Sequence, residues 1–374
     1  MKRLLIIEDD KLLATVYLKK FSQAGIHVKI AGTGKDGLQQ VASYRPHAML
    51  LDLMLPDMSG IEVLESLRSN EATRGMPVLV FTNAFLPATI QHARDAGATG
   101  VITKSDCSIT DLVGKISAAL EVSDYQPPSA PAEAVAPVAA PDVDLRKMLR
   151  EQAGPLQTAL GHFSVLPSDT SRLIALSQAT HAVAGNAVAV GEHTVAWMAS
   201  ALEALEHDLI EKTKHRNPSS TNTIADGTRL LAAWLEGTRP TPSRRPDDCR
   251  ILAVDDDPIV CELVKNALAR AQLPCVTATN PRVALESLRG KPFNLVLLDI
   301  EMPEMDGMTL CRELRAIPHQ KHTPVVFVTA VGEFERRQQA GLSGGNDLLA
   351  KPFLPMELAV KALTWLLKSE STAR

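Results

Sequence analysis

Asp9, Asp52, Thr82 and Lys104 stand 43, 30 and 22 residues apart, and Asp256, Asp299, Thr329 and Lys351 repeat the same three intervals later in the chain. A second acid precedes the first aspartate of each set, Glu8 in one copy and Asp255 in the other. Three carboxylates gathered in one place repel one another unless a cation neutralises them, and a hard divalent ion with oxygen ligands, Mg²⁺, suits that task, one per copy. One carboxylate can then attack a phosphoryl group, while the metal, a lysine ammonium and a threonine hydroxyl bind the charge spread over the phosphoryl oxygens. Helix capping explains Asp10 or Asp257 taken singly, and solvation explains a loop lysine, but neither requires a fixed long-range spacing in duplicate.

The elements that must position these residues are legible around them. Short apolar runs (LLII, AMLL, VLVF; ILAV, LVLL, VVFV) alternate with amphipathic stretches such as KLLATVYLKKF and PIVCELVKNAL. That alternation predicts a parallel sheet wrapped by helices, an α/β doubly wound domain at each end, with ligands bound beyond the carboxyl ends of the strands. Pro-rich breaks divide the chain into segments 1–124, 142–236 and 250–374, joined by linkers at 125–141 and 237–249.

Both outer segments resemble response-regulator receiver domains, a likeness that implies the flavodoxin-like strand order 2-1-3-4-5. Carried over position by position, Asp52 and Asp299 match the phosphoaccepting aspartates, Glu8 with Asp9 and Asp255 with Asp256 the metal-binding acids, Thr82 and Thr329 the switch hydroxyl, and Lys104 and Lys351 the family's lysine. The resemblance also implies a backbone carbonyl ligand at Met54 and at Glu301. Four departures stand out. Lys104 is followed by Ser105 where the family has a cis proline, as Lys351-Pro352 allows; Asn83 replaces the very small residue seen as Ala330; Val101 and Leu348 replace the switch aromatic; and Glu301 adds a charge beside Asp299.

The middle segment is rich in Ala and Leu and predicts an all-α four-helix bundle from LRKMLREQAGPLQTAL, SRLIALSQATHAVAGNAVAV, HTVAWMASALEALEHDLIEK and DGTRLLAAWLEG. On its second helix Leu173, Leu176, Thr180, Val183 and Ala187 share one face, and His181 points about 130° away from the centre of that face, toward solvent. Gly185 lies beside it and lets another protein approach closely. His181, Gly185 and Gly191 resemble the histidine-glycine spacing of a histidine phosphotransfer domain, although Ala184 replaces that family's lysine.

The function these readings imply is that of a two-component phosphorelay intermediate: a phosphoacceptor rather than a turnover enzyme, with no segment that reads as a kinase ATP-binding domain. A phosphorylation-gated scaffold with a degenerate bundle is the second reading. The expected partners are a sensor histidine kinase or phosphotransfer protein and a downstream receiver or effector, and a homodimer is compatible with both readings. Lys and Arg (39) nearly balance Asp and Glu (43), so no basic surplus favours nucleic acid. Five cysteines without paired or metal-ligand spacing suit reduced thiols. The start carries no signal-peptide core, and no apolar run reads as a membrane span, which predicts a cytoplasmic protein free of membrane.

Overall fold

The computed structural model describes residues 2–82, 87–104, 107, 109–127, 144–243, 245–329 and 344–370. Asn83, Ser105, Ala330 and most of the 125–141 linker lie outside the described residues. Packing groups the chain into two compact units, one of residues 1–151 with 181–200, the other of 152–180 with 201–374.

In the first unit, β1 (Arg3–Ile7), β2 (His27–Ala31), β3 (Ala48–Leu51), β4 (Val78–Thr82) and β5 (Gly100–Thr103) form a parallel sheet in the order β2-β1-β3-β4-β5. Helices α1 (Lys11–Gln23), α2 (Gly34–Tyr44), α3 (Gly60–Ser69), α4 (Pro87–Asp95) and α5 (Ile109–Val122) alternate with the strands. β3 and β4 are buried at every position, as central strands covered on both faces must be. Side chains start the helices where the sequence turns from strand to helix: the Thr33 hydroxyl accepts from the Asp36 amide, and Ser59 and Glu62 form a capping box.

After a short α6 (Leu145–Glu151), the helical region continues as α7 (Ala153–Val165), α8 (Thr170–Val190), α9 (His193–Glu211) and α10 (Pro218–Leu235). The first expected helix is thus interrupted at Gln152, and the last starts well before the expected Asp226. An Asn217/Ser220 capping box with Pro218 in its first turn nucleates α10 there. Leu173, Leu176, Thr180, Val183 and Ala187 are all fully buried, so the expected apolar face of α8 is the one that packs. α8 ends at Gly191, whose φ of +77° lets the Glu192 amide donate back to the Ala187 carbonyl at 2.9 Å. With 21 residues, α8 is long and apolar enough to cross a membrane, which the sequence reading did not anticipate; half of its most apolar stretch is buried within the protein, as in a core helix.

The second unit repeats the sheet with β6 (Ile251–Val254), β7 (Cys275–Ala278), β8 (Leu295–Leu298), β9 (Val325–Thr329) and β10 (Asp347–Ala350), ordered β7-β6-β8-β9-β10. Among the described residues, the helices that alternate with these strands are α11 (Pro258–Ala269), α12 (Pro281–Gly290), α13 (Gly307–Ala316) and α14 (Pro355–Glu370). Both sheets therefore have the expected 2-1-3-4-5 order. α14 packs against α11 and α10, with Ser219 Oγ donating to Glu357 Oε1 at 2.6 Å.

α9 buries acids that read as surface residues in the sequence. Glu206 is fully buried, accepts from Thr180 Oγ1 at 3.2 Å through Oε1, and has no hydrogen-bond partner for Oε2 among the described residues. Burial, reinforced by the charge of Glu203, pushes its carboxyl up to about 8. A carboxyl that holds its proton more tightly folded than unfolded contributes stability that is full below about 4.5 and lost as pH rises through about 8. Glu206→Gln is therefore expected to change stability little near pH 4.5 and to stabilise the protein by up to about 4 kcal/mol at pH 9, read as urea midpoints at the two pH values.

Candidate functional site

Strand register brings the chemistry-bearing residues together. Ile7 pairs with Leu51 and Asp52 N donates to Ile7 O at 3.0 Å, so Glu8 and Asp52 leave neighbouring strands side by side. Thr82 pairs with Thr103 on the next strand pair, which delivers Lys104. The second unit repeats this: Val254 pairs with Leu298, Asp299 N donates to Val254 O at 2.9 Å, and Lys351 N donates to Thr329 O at 2.8 Å. All eight of the residues repeated at matching intervals thus lie at, or just beyond, the carboxyl ends of their strands.

In the first unit the Lys104 ammonium donates to Glu8 Oε2 at 3.0 Å and to Asp52 Oδ2. Asp52 Oδ1 accepts from the Met54 amide at 3.1 Å. Burial alone would lower the Lys104 ammonium, but the Asp52 and Glu8 carboxylates overcome it and hold the group well above its ordinary range. Burial pushes Glu8 up to about 8, with Lys104 opposing the rise and Asp52 adding to it. In the second unit Lys351 Nζ lies 2.6 Å from Asp255 Oδ2 and 3.3 Å from Asp299 Oδ2. Burial raises Asp299, against the pull of Lys351. The Lys351-Pro352 peptide is cis.

The middle helix contributes a residue to the first cluster. His181 Nε2 lies 3.7 Å from Asp52 Oδ2, and its side chain is 13 % exposed. The expectation that it points to solvent is thereby corrected: the angle from the apolar face of α8 was read properly, but the side opposite that face is covered by the N-terminal α/β domain. Glu8, Asp52 and His181 bring ligand atoms within 4.8 Å of one another, whereas Asp9 lies outside that group and is exposed. In the second unit the expected trio Asp255, Asp256 and Asp299 does cluster. Ala184 is fully buried, so a lysine there would have to bury its ammonium. Val101 and Leu348 occupy strand positions three residues before each lysine, with Leu348 buried among apolar neighbours.

Both clusters fit a hard cation. Glu8 Oε1 in the first is a buried carboxylate oxygen without a hydrogen-bond partner among the described residues, and Asp255, Asp256 and Asp299 bring carboxylate oxygens together in the second.

The model of the response regulator receiver domain matches residues 4–117 and 251–363, more than half of the chain. The chain belongs to this family. Its two receiver domains flank the helical region of α6 to α10. The transcriptional regulatory protein SrrA of Staphylococcus aureus is 34% identical over 122 residues, which is 33% of this chain and 49% of SrrA. The chain spans about half the length of the curated relatives it matches. Among solved structures, the Vibrio cholerae chemotaxis protein CheY4 is 30% identical over 29% of this chain and 92% of its own, with a TM-score of 0.29. A CheY-like receiver domain protein of Methanospirillum hungatei is 30% identical over 32% of this chain and 94% of its own, with a TM-score of 0.31.

Proposed function

We propose that this response regulator is a phosphorelay intermediate in which Asp52 and Asp299 accept phosphoryl groups and His181 exchanges one with Asp52. The 3.7 Å separation of His181 Nε2 from Asp52 Oδ2 carries this reading. A phosphoryl group on Asp52 meets the Nε2 lone pair: the N–P bond forms, the P–O bond to Asp52 breaks, and its electron pair returns to the carboxylate. The reverse step regenerates the acyl phosphate, so the chemistry permits flow either way. Lys104 opposes the negative charge on the phosphoryl oxygens, and Thr82 and Thr329 offer hydroxyls at the adjacent strand ends. Lys351 serves Asp299 in the same manner.

Mg²⁺ would be held by Glu8, Asp52 and the Met54 carbonyl in the first domain, and by Asp255, Asp256, Asp299 and the Glu301 carbonyl in the second. When bound it withdraws charge from the phosphoryl oxygens. Asp9, exposed and within electrostatic reach of Asp52, His181 and Lys104, is the further acid that the family likeness assigns to the ion.

Labelling from a phosphorylated donor kinase tests this reading, since phosphohistidine is acid-labile and stable to alkali whereas aspartyl phosphate is lost in alkali. Wild type is expected to carry both labels, His181→Gln only aspartyl label, and the Asp52→Asn, Asp299→Asn double variant no aspartyl label. Aspartyl label alone in wild type, unchanged by His181→Gln, would instead make the protein a two-receiver scaffold with a silent helical region.

A further inference from the structure

Two copies of one acceptor triad in the same chain differ in access to solvent. The side chains of Lys104 and Asp52 are 0 % exposed and that of Glu8 3 %, whereas those of Lys351, Asp255 and Asp299 are 19, 7 and 9 % exposed. The constellation itself does not set the contrast, because its acids, threonine and lysine stand at matching strand ends in both domains.

The C-terminal half of α8 accounts for it. His181, Gly185 and Ala189 recur every four residues and so form one stripe of the helix. His181 faces Asp52. One turn on, a Cβ at Gly185 would stand 3.0 Å from Leu13 Cδ2 and 4.0 Å from Asp10 Oδ2, so the missing side chain lets the helix backbone come up against α1. A further turn on, Ala189 packs against the apolar cluster that includes Leu13, Val16 and Tyr17. A nucleophile, a bare backbone and a methyl thus form a seam shaped to the surface beside Asp52.

We infer that α8 closes Asp52 to phosphodonors in solution, so that His181 is the sole exchange partner of Asp52 while the helix is docked, and Asp299 is the more accessible acceptor. The inference rests on the exchange proposed above and specifies its partner. A docked His181 stands beside Asp52; its exchange with any other receiver requires α8 to lift, and the same motion admits outside donors. The rate at which a solution donor reaches Asp52 is then scaled by the lifted fraction.

Acetyl phosphate with Mg²⁺ is the probe, used on the full chain, with Asp299→Asn reporting Asp52 and Asp52→Asn reporting Asp299. Asp52 is expected to be labelled at least about tenfold more slowly than Asp299. Gly185→Leu or Ala189→Glu, each added to Asp299→Asn, is expected to bring the Asp52 rate toward that of Asp299, and two seam variants guard against misfolding of one. Equal rates in the two reporter chains would overturn the closure, as would a slow Asp52 rate that neither seam variant relieves. Rapid labelling of Asp52 together with His181-dependent phosphohistidine would refute the closure and leave the relay standing.

Discussion

Alanine at Gly307 should destabilise the second receiver domain by about 3 kcal/mol and reduce phosphoryl label on Asp299 by about a hundredfold, and alanine at Gly60 should do the same to the first domain and Asp52. The reason is where the two helices begin. A Cβ on Gly307 would stand 2.0 Å from the carbonyl oxygen of Asp299, and one on Gly60 would stand 2.2 Å from the carbonyl oxygen of Asp52. The helix amides hold this approach, Gly307 N donating to Ile300 O at 3.0 Å and Gly60 N to Leu53 O at 2.9 Å. Backbone cannot yield as a flexible side chain does, so α13 or α3 must move away and take the acceptor loop with it. An acceptor carboxylate displaced by about 1 Å loses its alignment with the incoming phosphorus. Urea unfolding and acetyl phosphate labelling of each variant check the two effects, and a fully stable, fully labelled Gly307→Ala would contradict this account of the loop.

Lys104→Met should destabilise the first domain by about 3 to 5 kcal/mol at neutral pH, because Glu8 and Asp52 would face each other buried without a cation. Lys351→Met should cost less, since Lys351 is 19 % exposed and water can reach its carboxylates. The pH dependence has a definite sign. Burial raises Glu8 and the Lys104 charge opposes that rise, so without the ammonium the folded state holds the Glu8 proton more tightly still, and the variant loses stability as pH rises and recovers part of it as pH falls toward the ordinary carboxylate range. Urea midpoints of wild type and Lys104→Met at pH 5 and pH 8, in EDTA, measure this directly. A deficit equal at the two pH values would show that packing, not charge, is what Lys104 contributes.

The repeated spacing of acids, threonine and lysine made both sheets legible before any coordinates, because a parallel doubly wound sheet delivers its strand ends to one edge and the intervals between those ends are set by whole strand-helix units. The expected apolar face of α8 was equally readable from its period. Three features were hidden for physical reasons. A helical wheel locates His181 relative to its own helix and cannot reveal that the opposite face is covered, although Gly185 was the signal that something comes close there. The start of α10 was encoded in Asn217, Pro218 and Ser220, a polar cap easily passed over for a loop, and the buried acids of α9 carry no sequence mark of their burial.

The exchange between His181 and Asp52 is the centre of this account, and rapid-quench partition of label within the Asp299→Asn chain tests it most directly. The chain is charged by a radiolabelled donor, separated from it, and sampled at several protein concentrations for phosphohistidine and aspartyl phosphate. The account predicts that the two labels interconvert at a rate independent of chain concentration, as docking within one chain requires, and that Asp52→Asn abolishes the interconversion. Interconversion that slows in proportion to dilution, or aspartyl label that never equilibrates with His181, would contradict it.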